Sequence, residues 1–138
     1  MADDHLNVAV STDGTLYAAV KTSYDTASNA VSALLVRHPN GVWDPMRTVD
    51  TRGTRPIVLI DDATQGLRVI YTASGQLDNI LEKVTTLSAL DFSKPATVLA
   101  AGSFNNVTSV KRNTSGNVVV MASSATATRT MNLAWVNP

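Results

Sequence analysis

The sequence predicts an all-β fold built from a repeated unit of about fifty residues. A small polar turn that ends in glycine occurs three times, with the glycines at Gly14, Gly66 and Gly116 and spacings of 52 and 50 residues. A run of strand-forming residues follows each turn. Windows with the apolar spacing of an amphipathic helix are scarce. A repeat of this length in a β-rich chain indicates an array of similar β units.

Aligning the three glycines predicts a pattern of four strands in each unit. First strands are expected at residues 6–11, 57–61 and 107–112, and second strands at 15–22, 67–74 and 117–124. Third strands are expected at 31–37, 80–88 and 129–136, and fourth strands at 42–49 and 96–101, with none in the third unit. The Asn40-Gly41 pair predicts the hairpin between the third and fourth strands of the first unit.

The stretch 77–90 is ambiguous, because its apolar residues also fit a helical spacing. We expect a strand over most of it, since Val84, Thr85 and Thr86 are β-branched and the repeat places a strand there. A single helical turn around residues 87–92 is the alternative.

Four-stranded antiparallel units at this spacing are typical of β-propeller blades. Residues 1–138 are therefore predicted to form one partial propeller domain of about three blades, at about 5–50, 55–101 and 105–138, the last lacking its fourth strand. A β-sandwich also has short strands with frequent turns and is the competing architecture. The repeat in register favours blades.

The composition fits a folded chain and gives no electrostatic signal. Apolar residues make up 44% and charged residues 16%, and eleven basic side chains balance eleven acidic ones. The sequence has no block of basic residues that would indicate binding to nucleic acid or a membrane surface. It also has no apolar run that approaches the roughly 20 residues of a membrane helix. Cysteine is absent, the two histidines have no metal-ligand spacing, and the acidic start is unlike a signal peptide. We expect no cofactor and no metal.

The segment Ser11-Thr12-Asp13-Gly14-Thr15-Leu16-Tyr17 resembles a degenerate Asp-box, the Ser-x-Asp-x-Gly-x-x-Trp turn, with one spacer residue fewer and Tyr17 near the place of the Trp. The copies at 61–66 and 112–116 keep little beyond the glycine. The chain thus resembles sialidase-like, Asp-box β-propellers and uncharacterised secreted bacterial proteins of that group. The resemblance implies a propeller of secreted or cell-surface origin. It implies no activity, because an Asp-box is a structural turn.

An open array of blades exposes apolar faces at both ends unless a partner covers them. The runs at 8–10, 57–60 and 118–120 carry no charged residues that would blunt such surfaces. We therefore expect self-association, with a dimer closing a ring of six blades as the favoured form. The alternative is that the sequence is a piece of a longer propeller.

The predicted ligand site lies on the top face, the end at which the first strands begin. Residues 3–5, 55–57 and 105–107 stand eleven to nine positions before the turn glycines, and the loops between second and third strands add further polar groups. Such a lining suits hydroxyl-rich or anionic ligands, and the expected ligand is a carbohydrate, with a surface partner as the other possibility. The alternative is a set of solvated loop residues. The candidates are His5, Lys21, Tyr24, Asp25, Arg55, Asn105 and Asn106.

The remaining candidates are interpreted as structural. Asp61 and Asp62 are expected in a turn on the opposite, bottom face, His38 is expected to be solvated there, and Trp43 and Trp135 are expected to fill gaps between blades.

We expect no enzyme activity. A sialidase-like mechanism needs an arginine cluster, a Tyr–Glu pair and an Asp acid, but only Arg55 is expected on the top rim. The single glutamate, Glu82, is expected in the middle of a strand, far from Tyr24. The alternative is a fragment of a sialidase-like glycoside hydrolase whose catalytic residues lie in missing blades.

Overall fold

The computed structural model describes residues 2–24, 29–73, 78–110, 112–124 and 131–136, with only the backbone of 2–4 and 131–136. This part of the chain contains strands and no helix, which confirms the all-β prediction. The strands are β1 Ala2–Val10, β2 Leu16–Thr22, β3 Ser32–Arg37, β4 Arg47–Asp50, β5 Thr54–Asp61, β6 Gly66–Thr72, β7 Asp78–Thr86, β8 Thr97–Thr108, β9 Val118–Ser124 and β10 Met131–Val136. They form two antiparallel sheets in chain order, β1 to β4 and β5 to β10.

The connections between the first two strands of each sheet are turns organised by aspartate. Asp13 accepts hydrogen bonds from the Ser11 hydroxyl and from the backbone N–H of Thr15, which lower the pKa of its carboxyl below the ordinary value. Asp61 accepts from the backbone N–H groups of Ala63 (2.9 Å) and Thr64 (3.3 Å). The interpretation of Asp61 as a turn residue is confirmed.

The two sheets pack as three layers, because the second sheet curls back on itself. One face of β1–β4 packs against one face of β5–β7, and β9 with the end of β8 packs against the opposite face of β5–β7. The first contact includes Tyr17, Leu34, Val36, Val49, Val58, Ile60, Leu67, Val69 and Tyr71. The second includes Ile57, Leu59, Ile70, Ile80, Phe104, Val107, Val118, Val120 and Ala122. Apolar side chains on both faces explain why β5 and β6 are buried almost throughout.

The curl depends on β8, which belongs to two layers. Its first part pairs with β7, from Glu82↔Thr97 to Asp78↔Phe104, and its last part pairs with β9, from Phe104↔Ser124 onward. The sequence predicted two separate strands here, at 96–101 and 107–112, and that prediction is wrong. Backbone pairing of Phe104 to both neighbours carries one strand through the intervening residues, and the strand then ends at Thr108.

One further expectation needs correction, and one open alternative is decided. The predicted strand at 42–49 is reduced to β4, because Pro45 supplies no N–H and only an isolated bridge joins Trp43 to Arg37. Residues 87–88 form a turn rather than a helix, closed by the Ala89 N–H on the Thr86 carbonyl. The strand interpretation of the ambiguous stretch before it is confirmed by β7.

The side chains that face neighbouring layers repeat every 51 residues after the turns, rather than 52 and 50. Leu67, Val69 and Tyr71 face the layer that precedes theirs in the chain, and so do Val118, Val120 and Ala122, each 51 positions later. The glycine alignment is displaced because residues 62–65 connect β5 to β6, whereas the longer segment 11–15 connects β1 to β2. Positions related by 51 residues are called equivalent below.

Candidate functional site

Three of the predicted top-face residues meet at one opening. His5 on β1, Arg55 on β5 and Asn106 on β8 line a shallow depression of about 280 Å³, together with neighbouring residues of the same three strands. Each of the three layers contributes one of these strands. The depression therefore lies where the three chain segments run side by side.

Asn105 fixes the position of Arg55. The Arg55 Nη1 atom donates to the Asn105 side-chain Oδ1 at 2.8 Å and approaches the Asn105 carbonyl oxygen at 3.5 Å. The Thr72 hydroxyl donates to the same carbonyl at 3.1 Å. Both arginine contacts use Nη1, so the donors on Nε and Nη2 remain for further acceptors at the depression.

The backbone conformation at Arg55 also helps to orient this side chain. Arg55 has a φ of 53°, in the left-handed region that bulky residues rarely adopt. The pairing of β5 with β6 shifts register between Thr54 and Ile57. Such irregularities commonly re-aim a side chain at the rim of a sheet, and here they coincide with an arginine that faces the depression.

The other predicted site residues lie elsewhere. The Lys21 Nζ atom donates to the Thr22 carbonyl at 3.4 Å, and the half-exposed Tyr24 is anchored through its backbone N–H on the Thr22 hydroxyl. Neither residue belongs to the lining of the depression. Asp25 lies outside the described residues.

Amide side chains that sequence reasoning missed join the layers. The Asn7 Oδ1 atom accepts from the Val58 backbone N–H at 2.9 Å. Asn113 Nδ2 donates to the Val10 carbonyl at 2.9 Å and to the Asp62 Oδ1 atom at 3.1 Å, which links all three layers at the end opposite the depression. An amide in an otherwise apolar strand was the only signal available for Asn7.

A buried ion pair is the second feature that sequence reasoning missed. Arg68 Nη1 lies 2.9 Å from Glu82 Oε1, and both side chains are buried. They stand at the base of a cleft of about 440 Å³ between β7 and the following loop, where Lys83 Nζ donates to the Phe92 carbonyl at 2.8 Å. The single glutamate of the chain is therefore held by Arg68.

Trp43 and His38 depart from the sequence interpretation. Trp43 is 53% exposed, so it fills no gap between the layers of this chain. The His38 Nε2 atom lies 2.9 Å from Asp44 Oδ1, so His38 is bound to a neighbour rather than merely solvated. The side chain of Trp135 is outside the described part.

The face of β1–β3 that points away from the other layers is apolar apart from Arg37, which pairs with Leu16. It carries Leu6, Val8 and Val10 in alternate positions of β1, with 62%, 50% and 47% of each residue exposed. Ala18, Val20 and Ala33 form a small cluster behind them that is already buried in the single chain, flanked by the partly buried Leu16 and Leu35, so the exposed part of this face is the β1 row. We call this surface the open face.

Within the described residues, no three His, Asp or Glu side chains are grouped so that they could hold a metal ion. The same part of the chain has no helix long and apolar enough to cross a membrane. Comparison with protein-family models finds no matching family, and comparison with curated proteins finds no significantly similar protein.

Proposed function

We propose that the protein is a non-catalytic β-propeller module that self-assembles, most favourably as a dimer forming a six-bladed ring, and binds carbohydrate at its top face. The observation that carries this proposal is the depression lined by His5, Arg55 and Asn106, one residue from each layer. In a ring of blades this depression lies at the central opening, where propellers present ligand-binding groups.

The layer packing supports the propeller part of the proposal. β1–β4 form a four-stranded meander, and β5–β7 with the first part of β8 form another. The end of β8 with β9 and β10 supplies three strands of a third. Each of the last two units turns its equivalent positions toward the unit before it, as stacked blades require. The Asp13 turn is consistent with the resemblance to sialidase-like propellers.

The chemistry of the depression suits a hydroxyl-rich ligand. Arg55 provides directed donors, the Asn106 amide provides both a donor and an acceptor, and the His5 side chain lies beside them. A sugar that also carries a carboxylate would gain a charge-assisted bond from the guanidinium. Exposed donors and acceptors of both kinds favour carbohydrate over an apolar ligand.

The same lining argues against hydrolysis. Glycoside hydrolases generally need a pair of carboxyl groups that flank the scissile bond. The described lining of the depression includes no Asp or Glu, and Glu82 is buried against Arg68 in another part of the fold. We therefore propose binding without turnover.

A panel of neutral and acidic oligosaccharides tests the ligand, with titration calorimetry on each hit. We expect Arg55→Ala to weaken binding about 10- to 100-fold, the range for losing a hydrogen bond to a charged group. Lys21→Ala is the matched control, because Lys21 is a cation outside the depression, and its affinity should equal that of the parent. Equal binding by the Arg55 variant would refute the site, and turnover of aryl glycosides would refute the non-enzyme proposal.

A further inference from the structure

We propose that a second copy of this chain docks head to tail on the open face, through the surface of β9 that carries Val119 and Met121, with Trp43 as an anchor. This inference rests on the proposed self-assembly and specifies which two surfaces meet. The contact is heterologous, since one copy contributes the open face and the other contributes β9.

The open face occupies positions that the other layers cover. Leu16, Ala18 and Val20 are equivalent to Leu67, Val69 and Tyr71, which are buried beneath the layer that precedes theirs. The same positions recur as Val118, Val120 and Ala122, again buried against the preceding layer. Twice in this chain, therefore, a preceding layer covers this set of positions. By the same geometry, the open face fits a further layer of the same kind.

The surface of β9 is the matching half of that contact. Tyr17 and Ala19 are buried beneath the following layer, and their equivalents in the second layer, Arg68 and Ile70, are buried too. The equivalents in the third layer are Val119, which is partly buried, and Met121, which is 37% exposed. The three layers therefore form two contacts of this kind with one another. The first layer keeps one side of such a contact, the open face, and the third layer keeps the other side, the β9 surface.

Trp43 extends the open face toward the sheet edge. The isolated bridge pairs Trp43 with Arg37, and Arg37 pairs with Leu16. Directly paired residues of antiparallel strands project to the same side of a sheet, so Trp43 lies in one row with Leu16 and, through β1, with Val10. Tryptophan is among the residues that contribute most to interfaces when buried at a contact. Its exposure in the single chain is explained by a partner that covers this row.

The two surfaces differ, so association of this kind continues until it closes. With three layers in each chain, two copies that satisfy both contacts close a ring of six. Two copies that satisfied only one contact would leave one open face and one β9 surface free for further addition. A closed dimer therefore predicts a discrete mass rather than a concentration-dependent ladder.

Charged substitutions on each surface test this arrangement by sedimentation velocity. Val8→Asp disrupts the open face and Met121→Asp disrupts the β9 surface, and each variant alone should be monomeric, because every contact then contains one altered surface. Val98→Asp is the matched control, since Val98 is 51% exposed, as Val8 is 50% exposed, but lies on neither surface. The control should remain dimeric.

Mixing the two variants gives the decisive result. In a pair made of one Val8→Asp chain and one Met121→Asp chain, one contact joins two unaltered surfaces and the other joins two altered ones. We expect a 1:1 heterodimer from two monomeric proteins. A mixture that stays monomeric overturns the head-to-tail contact. A Met121→Asp variant that remains dimeric beside a monomeric Val8→Asp shows a symmetric contact through two open faces, and also overturns it.

Trp43→Ala keeps the proposal testable if a charged variant fails to fold, as judged by circular dichroism. We expect its dimer dissociation constant to rise at least about tenfold, while an unchanged constant contradicts the role of Trp43. A parent protein that is monomeric at every concentration refutes the proposed self-assembly itself. A dimeric parent whose Val8 and Met121 variants both stay dimeric refutes only the two surfaces named here.

Discussion

Gly53 lies in the connection between the two sheets, against residues of both, and replacing it with alanine tests their packing. It lies between β4 and β5 with a φ of 105°. A Cβ atom at this position would lie 2.5 Å from the Tyr71 ring carbon Cδ2, and 3.1 Å from both the Ser32 hydroxyl oxygen and the Thr72 carbonyl oxygen. Tyr71 is fully buried, and its hydroxyl donates to Asp50, so its ring has little room to move.

The expected loss has two parts that a second glycine separates. Forcing a non-glycine residue into this backbone region costs about 1–3 kcal/mol, and overpacking a filled core costs about 1–3 kcal/mol more. Gly116 has a similar φ of 110°, but a Cβ there would meet no atom within 4 Å. Gly116→Ala should therefore show only the backbone part, and the excess loss in Gly53→Ala measures the contact with Tyr71.

Urea unfolding followed by circular dichroism measures both free energies of unfolding, with the slope as a check that the transition stays two-state. We expect Gly53→Ala to be less stable than Gly116→Ala by about 1–3 kcal/mol. Equal losses in the two variants would refute the close packing of Tyr71 against this turn, and with it the described contact between the sheets.

Three further predictions concern buried polar groups. Burial and the hydrogen bond to Asp50 raise the pKa of Tyr71 above its ordinary value of 10.0, so the folded state binds the phenol proton more tightly than the unfolded state does. The free energy of unfolding should therefore fall above pH 10 by up to about 1.4 kcal/mol per pH unit. Thermal melts across pH 8–11 should show this fall, and Tyr71→Phe should reduce it. Glu82→Leu alone should cost about 3–5 kcal/mol, because it removes the carboxylate that pairs with the buried Arg68 guanidinium. Arg68→Met in the same chain should recover most of that loss in urea unfolding, and a double variant no better than the single one would contradict this. Asn7→Ala should cost about 1–3 kcal/mol, because the Val58 N–H loses its acceptor, and an unchanged thermal midpoint would show that water replaces it.

Local patterns predicted the central strands well. β2, β6 and β9 follow the three glycine turns as expected, because each begins with a nearly continuous run of strand-forming apolar residues that stands out in the sequence. The clustering of His5, Arg55 and Asn106 could also be predicted from the sequence. A repeat places residues at the same distance before each turn at the same end of neighbouring units, even when its register is off by one.

Features that depend on contacts between layers could not be predicted from the sequence. The continuity of β8 depends on Phe104 pairing with two strands at once, which follows from the curl of the sheet rather than from residues 97–108. Arg68 and Glu82 lie on neighbouring strands, offset by two positions from direct pairing, so their contact appears only when the register of β6 and β7 is known. Trp43 was expected to be covered, and no local signal tells whether the covering layer belongs to the same chain.

Because β8 pairs with both β7 and β9, the two sheets should differ in how readily they unfold locally. Each strand from β5 to β10 is hydrogen-bonded to the next in one sheet. In the described part of the chain, β1–β4 share no strand with that sheet and pack against it through side chains. The amides of β1–β4 should therefore exchange with deuterium through a partial unfolding that leaves β5–β10 intact. A partner that covers the open face would bind only the closed form of this sheet, so association should slow exchange in β1–β4 more than elsewhere.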